Sequence, residues 1–338
     1  NIHLVVKIMT TSNLKTLIVG CGNIAGGFDM DQNNTPLTHV GAYKDHGKFQ
    51  INACVDPDRD ILMKFATHWD IENKFSNMED VLSSGLKFDV ISICSPTSSH
   101  YSNVCKAIEI RPKVIFCEKP LANNYLDAVK IKELCIGAGV KLAVNHSRRW
   151  DPRVIELRDE ISSGKLGEIR SVIGFYNKGV LNNGSHMIDL IFNLFDSLNV
   201  ISAISAVNDY FEDDPTVTAL LKTDLGMPIH LVAAHASEYA LFELEIIGSK
   251  KNIRMRDGGL NWSSRSIVEN PRYPGYKNLS NDKYTEGSYQ EAIANAVENI
   301  YKAITQGDKL LCTGHEACQA HKICRDLLEK TNYRKDTR

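Results

Sequence analysis

The 338-residue chain has no long apolar run and no excess of charge of either sign. Nothing in it approaches the roughly 18 uninterrupted apolar residues of a membrane-spanning helix. Its 39 basic residues nearly cancel its 41 acidic residues, and the net charge is −2. A nearly neutral chain argues against a nucleic-acid-binding surface as the main function. We therefore expect neither a membrane nor a nucleic acid as a partner.

Paired cysteines are also lacking. The nine cysteines are odd in number and dispersed, without a Cys-x-x-Cys pair. This usage predicts free thiols in a reducing compartment, and hence a cytoplasmic protein. The series His315, Cys318, His321 and Cys324 has metal-ligand chemistry at three-residue spacing. Successive steps of about 300° turn these side chains halfway round a helix, so we predict no metal site.

The length favours two domains. In the first part, near-continuous apolar strands alternate with helical stretches, which predicts a parallel sheet covered on both faces. We predict a disordered or extraneous segment over 1–12 and an NAD-binding, doubly wound Rossmann domain over 13–147. The predicted strands are 16–19, 51–55, 90–94, 114–117 and 141–144, and the predicted helices are 59–68, 100–109 and 123–137.

The pattern changes after Trp150, where strand-like runs follow one another with few helices between them. This order predicts an α+β domain with an open, largely antiparallel sheet. We place this substrate and oligomerisation domain at 148–312, and a C-terminal helix and tail at 313–338. An open sheet offers a face for self-association, so we expect a homodimer or homotetramer. The predicted strands are 168–176, 200–207, 216–223, 229–236 and 241–247, and the predicted helices are 153–162, 185–195, 288–305 and 314–331.

A glycine turn directly follows the first predicted strand and reads Gly20-Cys21-Gly22-Asn23-Ile24-Ala25. The first glycine allows a tight turn, and the second lets the backbone approach a pyrophosphate. The small Ala25 permits close helix packing, with the phosphate held at the helix N-terminus. The turn therefore predicts a dinucleotide site that includes Asn23 and Ile24.

Asp56 ends the next strand, where a carboxylate can accept hydrogen bonds from a ribose 2′-hydroxyl. The same carboxylate would repel a 2′-phosphate, so the sequence favours NAD over NADP. The polar stretch 26–37 stands where a helix is expected to begin. It either folds over the cofactor or substrate, or is a tolerated surface insertion.

Four further motifs occur in a fixed order along the chain. They are Ser95-Pro96-Thr97-x-x-His100, Glu118-Lys119-Pro120, Asn145-His146-Ser147-Arg148-Arg149 and Asn183-Gly184-Ser185-His186-x-x-Asp189. With the glycine turn and Asp56, this order resembles the glucose–fructose oxidoreductase / inositol dehydrogenase / MocA (Gfo/Idh/MocA) family over about residues 15–333. The resemblance implies a Rossmann domain followed by a domain with a large open sheet. It also implies NAD-dependent hydride transfer to or from a carbinol carbon of a sugar, polyol or nucleotide-sugar derivative.

The predicted cofactor site combines the glycine turn with the later motifs, because the carboxyl ends of parallel strands form the cofactor crevice. Its residues are Gly20, Gly22, Asn23, Ile24, Ala25, Asp56, Ser95, Pro96, Thr97, His100, Glu118 and Lys119.

Three residues are predicted to be catalytic. By resemblance, Lys119 reaches the substrate hydroxyl, where an ammonium stabilises developing alkoxide charge. His186 is the candidate general base or acid, since its ordinary pKa is ~6.5. Asp189 lies three residues later on the same helical face, where it could orient the imidazole or bind a substrate hydroxyl. A Glu–Lys ion pair for Lys119 and a capping or packing role for His186 are the structural alternatives.

The substrate site contains one departure from the family pattern. Many relatives carry Asp four residues before the histidine, where this chain has Asn182, so a plain Asp–His relay and a specific substrate do not transfer. Arg148 and Arg149 either clamp a substrate carboxylate or phosphate, or form a structural interdomain ion pair. The predicted substrate contacts are Lys119, Arg148, Arg149, Asn182, Asn183 and His186.

Two other functions fit the same motifs. A tightly bound NAD could recycle during glycoside cleavage or internal redox. A non-catalytic dinucleotide sensor is also compatible, because a fold alone does not determine function.

Overall fold

The structure is a computed structural model that describes residues 13–31 and 35–331. The predicted segment 1–12, residues 32–34 of the polar stretch and residues 332–338 of the tail lie outside the described residues. No helix of the described part is long and apolar enough to cross a membrane.

The strands and helices follow one another along the two parts of the chain. The first part contains β1 (Leu14–Val19), α1 (His39–His46), β2 (Phe49–Val55), α2 (Arg59–Trp69), β3 (Asn73–Phe75), α3 (Met78–Ser84), β4 (Val90–Ile93), α4 (His100–Ile110), β5 (Val114–Cys117), α5 (Tyr125–Ala138) and β6 (Lys141–Val144). The second part contains α6 (Pro152–Ser162), β7 (Ile169–Tyr176), α7 (Ser185–Phe195), β8 (Asn199–Phe211), β9 (Asp214–Lys222), β10 (Pro228–Ala233), β11 (Phe242–Gly248), β12 (Lys251–Arg256), β13 (Asn261–Glu269), β14 (Lys277–Leu279), β15 (Lys283–Glu286), α8 (Ala292–Thr305) and α9 (Gly314–Lys330).

Six parallel strands form the first sheet in the order β3-β2-β1-β4-β5-β6. Their buried apolar runs explain why this sheet is covered on both faces. The strand order reverses between β1 and β4, and ligands of such sheets bind outside the strand ends at this reversal. The glycine turn follows β1 and Ser95 follows β4, so both lie at this point. The predicted doubly wound sheet is confirmed.

The first helix of this domain is interrupted just after the glycine turn. The carbonyls of Ile24 and Ala25 accept hydrogen bonds from the amides of His39 and Val40, at 3.2 and 2.9 Å. In an uninterrupted helix these carbonyls would bond to amides only four residues ahead. The polar stretch is therefore an insertion within the helix, and α1 continues the turn begun at 22–25.

The insertion is closed by the buried Asp29. Its carboxylate accepts hydrogen bonds from the amides of Leu37 and Thr38, each at 3.0 Å. Thr38 also caps the N-terminus of α1, since its side chain accepts from the amide of Gly41. The sequence did not identify α1, because the insertion removes the usual helix pattern after the glycine turn.

The second sheet has nine strands in the order β14-β13-β12-β11-β7-β10-β9-β8, with β15 paired to β13. The β10–β7 pair is parallel and the other pairs are antiparallel. This confirms the large, open, mostly antiparallel sheet. Strands β12 to β15 were not predicted, since their sequences are rich in polar and charged residues.

Two hydrophobic cores underlie the two sheets. The last two helices both pack on the first core, and α9 also packs on the second. Helix α8 follows the second sheet in sequence but contributes Ile293, Val297 and Ile300 to the first core. Helix α9 contributes Cys318 to the first core and Leu327 to the second. The sequence had grouped α8 with the second domain, whereas its apolar face packs on the Rossmann domain.

Candidate functional site

The glycine turn has the conformation that a close backbone approach requires. Gly20 has φ +89°, and a Cβ atom there would lie 2.5 Å from the amide nitrogen of Ser95. Only glycine fits without strain. A Cβ at Gly22 would meet nothing within 4 Å, so this position faces open space. Ala25 is fully buried beneath the turn.

Asp56 lies beside this turn at the end of β2. Its Oδ2 accepts a hydrogen bond from the amide of Cys21 at 2.9 Å, and its Oδ1 accepts from the amide of Asp58 at 2.9 Å. Each carboxylate oxygen has capacity for a further hydrogen bond. The two amides therefore fix Asp56 in place while leaving it able to accept from a ligand hydroxyl.

A cleft of about 720 Å³ opens between the turn, Asp56 and the loop after β4. Gly20, Gly22, Ser95 and Pro96 line it, and the cleft has the size of a cofactor site. The space beside Gly22 and the acceptors on Asp56 fit a dinucleotide. Asn23 is exposed at the turn, and Ile24 packs partly against the first core.

The loop after β4 is held by its own side chains. The hydroxyl of Ser95 accepts hydrogen bonds from the hydroxyl of Ser99 at 2.9 Å and from the side-chain amide of Asn103 at 3.0 Å. Thr97 begins a short 3₁₀ turn. His100 is buried with its ring nitrogens 2.8 Å from the carbonyl of Ser95 and 3.1 Å from that of Pro120. His100 therefore joins the loops after β4 and β5.

Glu118 connects the insertion to the end of the sheet. Its Oε1 lies 2.9 Å from Nε2 of the buried His39, and it accepts a hydrogen bond from the side chain of Asn145 at 2.7 Å. Burial alone would raise the pKa of Glu118, but these contacts and the neighbouring Lys119 lower it below its usual value. Glu118 is therefore held as a carboxylate.

The side chain of Lys119 points toward the second domain, while its main-chain amide donates to the Glu118 carboxylate at 3.3 Å. Its ammonium donates to the main-chain carbonyl of Asn182 at 3.1 Å and to the side-chain Oδ1 of Asn182 at 3.2 Å. Burial lowers the pKa of Lys119, and Arg148 adds to this effect. Both oxygens of Asn182 therefore bind the lysine, although the sequence had associated this position with His186.

His186 stands at the start of α7, next to the lysine. Its ring contacts that of His146 edge-on at a centroid distance of 5.6 Å, and its buried Nδ1 has no hydrogen-bond partner within the described chain. Burial, Lys119 and Arg148 hold the pKa of His186 well below its usual value. The imidazole is thus neutral near pH 7 and can accept a proton.

Asp189 is engaged elsewhere. Both of its oxygens accept from Nε of Arg149, at 2.9 and 3.0 Å, and Nη2 of Arg149 lies 2.9 Å from Oδ1. Both residues are buried. In place of the imidazole contact predicted for Asp189, the structure has a structural ion pair between the loop after β6 and α7. For Arg149, the structure thus has the structural ion pair and not the substrate clamp.

Arg148 is buried without a carboxylate in hydrogen-bond contact, as far as the described residues extend. Its guanidinium carbon lies 3.7 Å from the ring centroid of Phe242 and 4.6 Å from that of Tyr289. Its Nη2 donates to the carbonyl of Gly258 at 2.9 Å. The two arginines thus have different environments, although they are neighbours in sequence.

The remaining predicted substrate residue, Asn183, donates to the carbonyl of Leu241 at 3.2 Å. Three further residues of the site, His39, His146 and Asp214, carry no signal in the sequence that marks them as site residues. His39 follows the insertion, and no local pattern marks Asp214. His146 stands in a motif that was recognised, but its contact with His186 depends on the packing of the two domains.

The series on α9 is distributed around the helix. His315 is exposed, whereas Cys318, His321 and Cys324 are buried. Within the described ranges, no three His, Cys, Asp or Glu side chains gather as metal ligands would. All nine cysteines are free thiols.

A parallel sheet with a glycine turn and a dinucleotide-sized cleft at its reversal point defines an NAD-binding Rossmann domain. Residues 14–146 match the oxidoreductase family GFO_IDH_MocA, described as having an NAD-binding Rossmann fold. Over these residues the chain is similar to the Gfo/Idh/MocA oxidoreductases.

Relatives and solved structures extend the likeness beyond the first domain. Inositol 2-dehydrogenase of Rhizobium meliloti (strain 1021) is 24% identical over 274 residues, covering 71% of this chain and 78% of the relative. The WlbA dehydrogenase from Bordetella pertussis, in complex with NADH and UDP-GlcNAcA, has a TM-score of 0.76 at 18% identity, covering 95% of this chain and 97% of its own. An oxidoreductase from Agrobacterium radiobacter with NAD+, L-tartaric acid and magnesium has a TM-score of 0.75 at 18% identity, covering 95% and 97%. At these identities the two structures show a shared fold.

Proposed function

We propose that this chain is an NAD-dependent dehydrogenase or reductase acting on a CH–OH group of a sugar, polyol or nucleotide-sugar derivative. One observation carries the proposal. The ammonium of Lys119 and the neutral imidazole of His186 lie together where the Rossmann domain meets the second sheet. Oxidation of an alcohol needs an acceptor for the hydride, which NAD would supply, and an acceptor for the hydroxyl proton, and a nearby cation stabilises the developing alkoxide.

In this proposal Lys119 binds the substrate oxygen. Its ammonium is already fixed by the two oxygens of Asn182, and it retains a third N–H for the substrate. A preorganised cation stabilises the alkoxide charge that develops during oxidation. Lys119 therefore acts on the reacting oxygen rather than as a general surface charge.

His186 takes the hydroxyl proton in the oxidative direction and returns it in the reductive direction. Its neutral state near pH 7 leaves one ring nitrogen able to accept a proton. Asp189 has no part in this proposed step, because it is buried in its ion pair with Arg149. Arg148 and Asn183 would contact the rest of the substrate.

NAD would be held by the glycine turn, Asp56 and the Ser95 loop, and when bound it supplies the hydride acceptor or donor. The acceptors on Asp56 support NAD over NADP, since a carboxylate repels a 2′-phosphate. Glu118 and His39 would keep the β5 loop in place beneath Lys119.

We further propose a homodimer or homotetramer, formed through the open face of the second sheet, in a reducing cytoplasm. Strand β8 exposes Ile201, Ile204 and Val207 on this sheet, and the free thiols suit a reducing compartment. Sedimentation of the purified protein measures the oligomeric state. A monomer at micromolar concentration would refute the self-association.

A two-stage ligand screen tests the function. Thermal unfolding is measured first with NAD and NADP, and then with sugars, polyols and nucleotide sugars in the presence of the bound cofactor. A ligand at 100 times its Kd stabilises the protein by about 2.7 kcal/mol, which is measurable. Stoichiometric NADH from a hit supports the proposal, whereas turnover without net NADH indicates a recycling cofactor. Tight NAD binding without any oxidised substrate favours a sensor.

A further inference from the structure

The turn that carries Asn182 is held from outside the motifs by a carboxylate of the second sheet. Asp214, at the start of β9, accepts a hydrogen bond from the amide of Leu181 through Oδ1 and from the amide of Asn182 through Oδ2, each at 2.8 Å. A Cβ atom at Gly179 would clash with Oδ2 of Asp214, so the turn can close over the carboxylate only with glycine there.

A second carboxylate holds the other end of this turn. Asp209 of β8 accepts from the amide of Lys178 at 2.8 Å and from the hydroxyl of Thr216 at 2.7 Å. Thr216 in turn accepts from the amide of Gly179 at 2.8 Å. Asp209 and Asp214 therefore each accept hydrogen bonds from main-chain amides at opposite ends of one turn. Replacement of Asp209 is thus a matched control for replacement of Asp214.

The two carboxylates differ in their relation to the catalytic ammonium. Asp214 binds the main-chain N–H of Asn182, the residue whose carbonyl receives Lys119, and it interacts electrostatically with that lysine. Asp209 is not among the charged groups that shift the pKa of Lys119. Because position 182 is Asn, no acidic side chain of the described chain forms an ion pair with Lys119.

We propose that Asp214 is a positioning residue of this site. It fixes Asn182 beneath Lys119 and supplies, from behind the turn, the negative charge that an aspartate at position 182 would bring. This inference rests on the proposed function only in its catalytic consequence. The electrostatic coupling of Asp214 to Lys119 can be measured without a substrate.

The surrounding charges identify Lys119 as the charged partner of Asp214. Tyr176 and Cys324 also face Asp214, but burial raises the pKa of each, so both are neutral near pH 7. Burial also raises the pKa of Asp214 to about 6, against the lowering effect of its backbone hydrogen bonds and Lys119. Near pH 7 the group is therefore mostly ionised.

Lys119 has further neighbours that any titration must include. Glu118 raises its pKa together with Asp214, whereas Arg148 lowers it. His186 and His146 also interact with the lysine, but burial lowers the pKa of both, so they are neutral near pH 7. Removal of Asp214 therefore leaves Glu118 as the remaining negative charge near this ammonium.

The test is the titration of Lys119 itself. Competitive acetylation of amines, read by peptide mass spectrometry between pH 6 and 10, is run on the whole protein with and without NAD. We expect Asp214→Asn to lower the pKa of Lys119 by at least half a unit, which is about a threefold increase in labelling near pH 8. Asp214→Asn combined with Asn182→Asp should restore the wild-type titration, and Asp209→Asn should leave it unchanged.

A reciprocal measurement covers the case in which Asp214→Asn does not fold. Coupling between two groups is mutual, so Lys119→Met must raise the pKa of Asp214 above about 6. A carboxyl titration of protein labelled with 13C-aspartate measures this shift. An unchanged Asp214 titration, an unchanged Lys119 titration or an equal shift in Asp209→Asn would overturn the proposal. Absence of NAD binding or turnover would count only against the proposed function.

Discussion

Lys119 and Asn182 meet across the two domains, with the ammonium 3.1 Å from the carbonyl and 3.2 Å from the side-chain oxygen of Asn182. The contact joins the loop after β5 to the turn before α7. An asparagine can fill this position because it orients the ammonium with neutral oxygens. Asn182 therefore fixes the position of the Lys119 ammonium, while a negative charge near that ammonium must come from another residue.

Replacement of Lys119 by methionine should remove most of the activity while the cofactor remains bound. A lost transition-state donor typically lowers kcat by about 10²–10³-fold. We expect this loss in Lys119→Met, with the Kd for NAD within about threefold of wild type. Steady-state kinetics and NAD titration measure the two quantities. The control is Lys130→Met at an exposed helix position, and a kcat for Lys119→Met within threefold of wild type would refute the role.

Replacement of His186 by glutamine should flatten the acid dependence of stability. Because the folded-state pKa of His186 lies well below 6.5, the unfolded chain binds a proton there first as the pH falls. The stability contributed by neutral His186 is thus present above about pH 6.5 and lost below it. Thermal unfolding at pH 5 and pH 7.5 should show a smaller difference in Tm for His186→Gln. The exposed His315→Gln serves as the control, and an unchanged difference in His186→Gln would contradict the prediction.

The Arg149–Asp189 pair should affect stability strongly. Asp189→Asn leaves a buried guanidinium without its charge partner, which typically costs 3–5 kcal/mol, so we expect a loss of about that size. Wild type, Arg149→Met, Asp189→Leu and the double replacement form a cycle in which the double change should cost less than the sum of the two single changes. Denaturant unfolding of all four proteins measures the coupling. Full stability of Asp189→Asn with lost turnover would instead restore Asp189 to the catalytic set.

The two glycines of the turn should respond differently to alanine. In Gly20→Ala the new Cβ would strain the positive φ and would clash with the main-chain nitrogen of Ser95. Stability and NAD binding should therefore both fall. Gly22→Ala meets open space, so its Tm should stay within about 2 °C of wild type while NAD binding weakens at least tenfold. Unfolding scans with and without NAD separate the two effects. Unchanged NAD affinity in Gly22→Ala would show that the cofactor lies elsewhere.

Asp56 should determine the preference between the two cofactors. Asp56→Ser removes an ionised acceptor, and we expect about tenfold weaker NAD binding, since such hydrogen bonds contribute about 1.5–3 kcal/mol. The loss of repulsion should at the same time strengthen NADP binding. Calorimetric titration with each cofactor gives both values, with Asp58→Asn as the neighbouring control. Wild-type protein that binds NADP as tightly as NAD would contradict the assignment.

The sequence pattern alone predicted those features of the fold and of the cofactor site that depend on residues adjacent in the chain. The apolar runs of the first sheet, the turn at Gly20–Ala25 and the acid at position 56 predicted a Rossmann domain, because each depends on neighbours in sequence. The helix that continues this turn was not predicted. Its hydrogen bonds run from Ile24 and Ala25 across the insertion to His39 and Val40.

The partners of the site residues were decided by tertiary structure alone. The sequence predicted that Asp189 contacts His186 and that Asn182 interrupts an Asp–His relay. In the folded chain Asp189 binds Arg149, and Asn182 binds Lys119. Helical spacing defines only which residues could share a face, whereas packing of α7 against the loop after β6 selects the partner. The sequence alone thus predicted the class of chemistry, and the meeting of the two domains brings together the side chains that we propose to carry it.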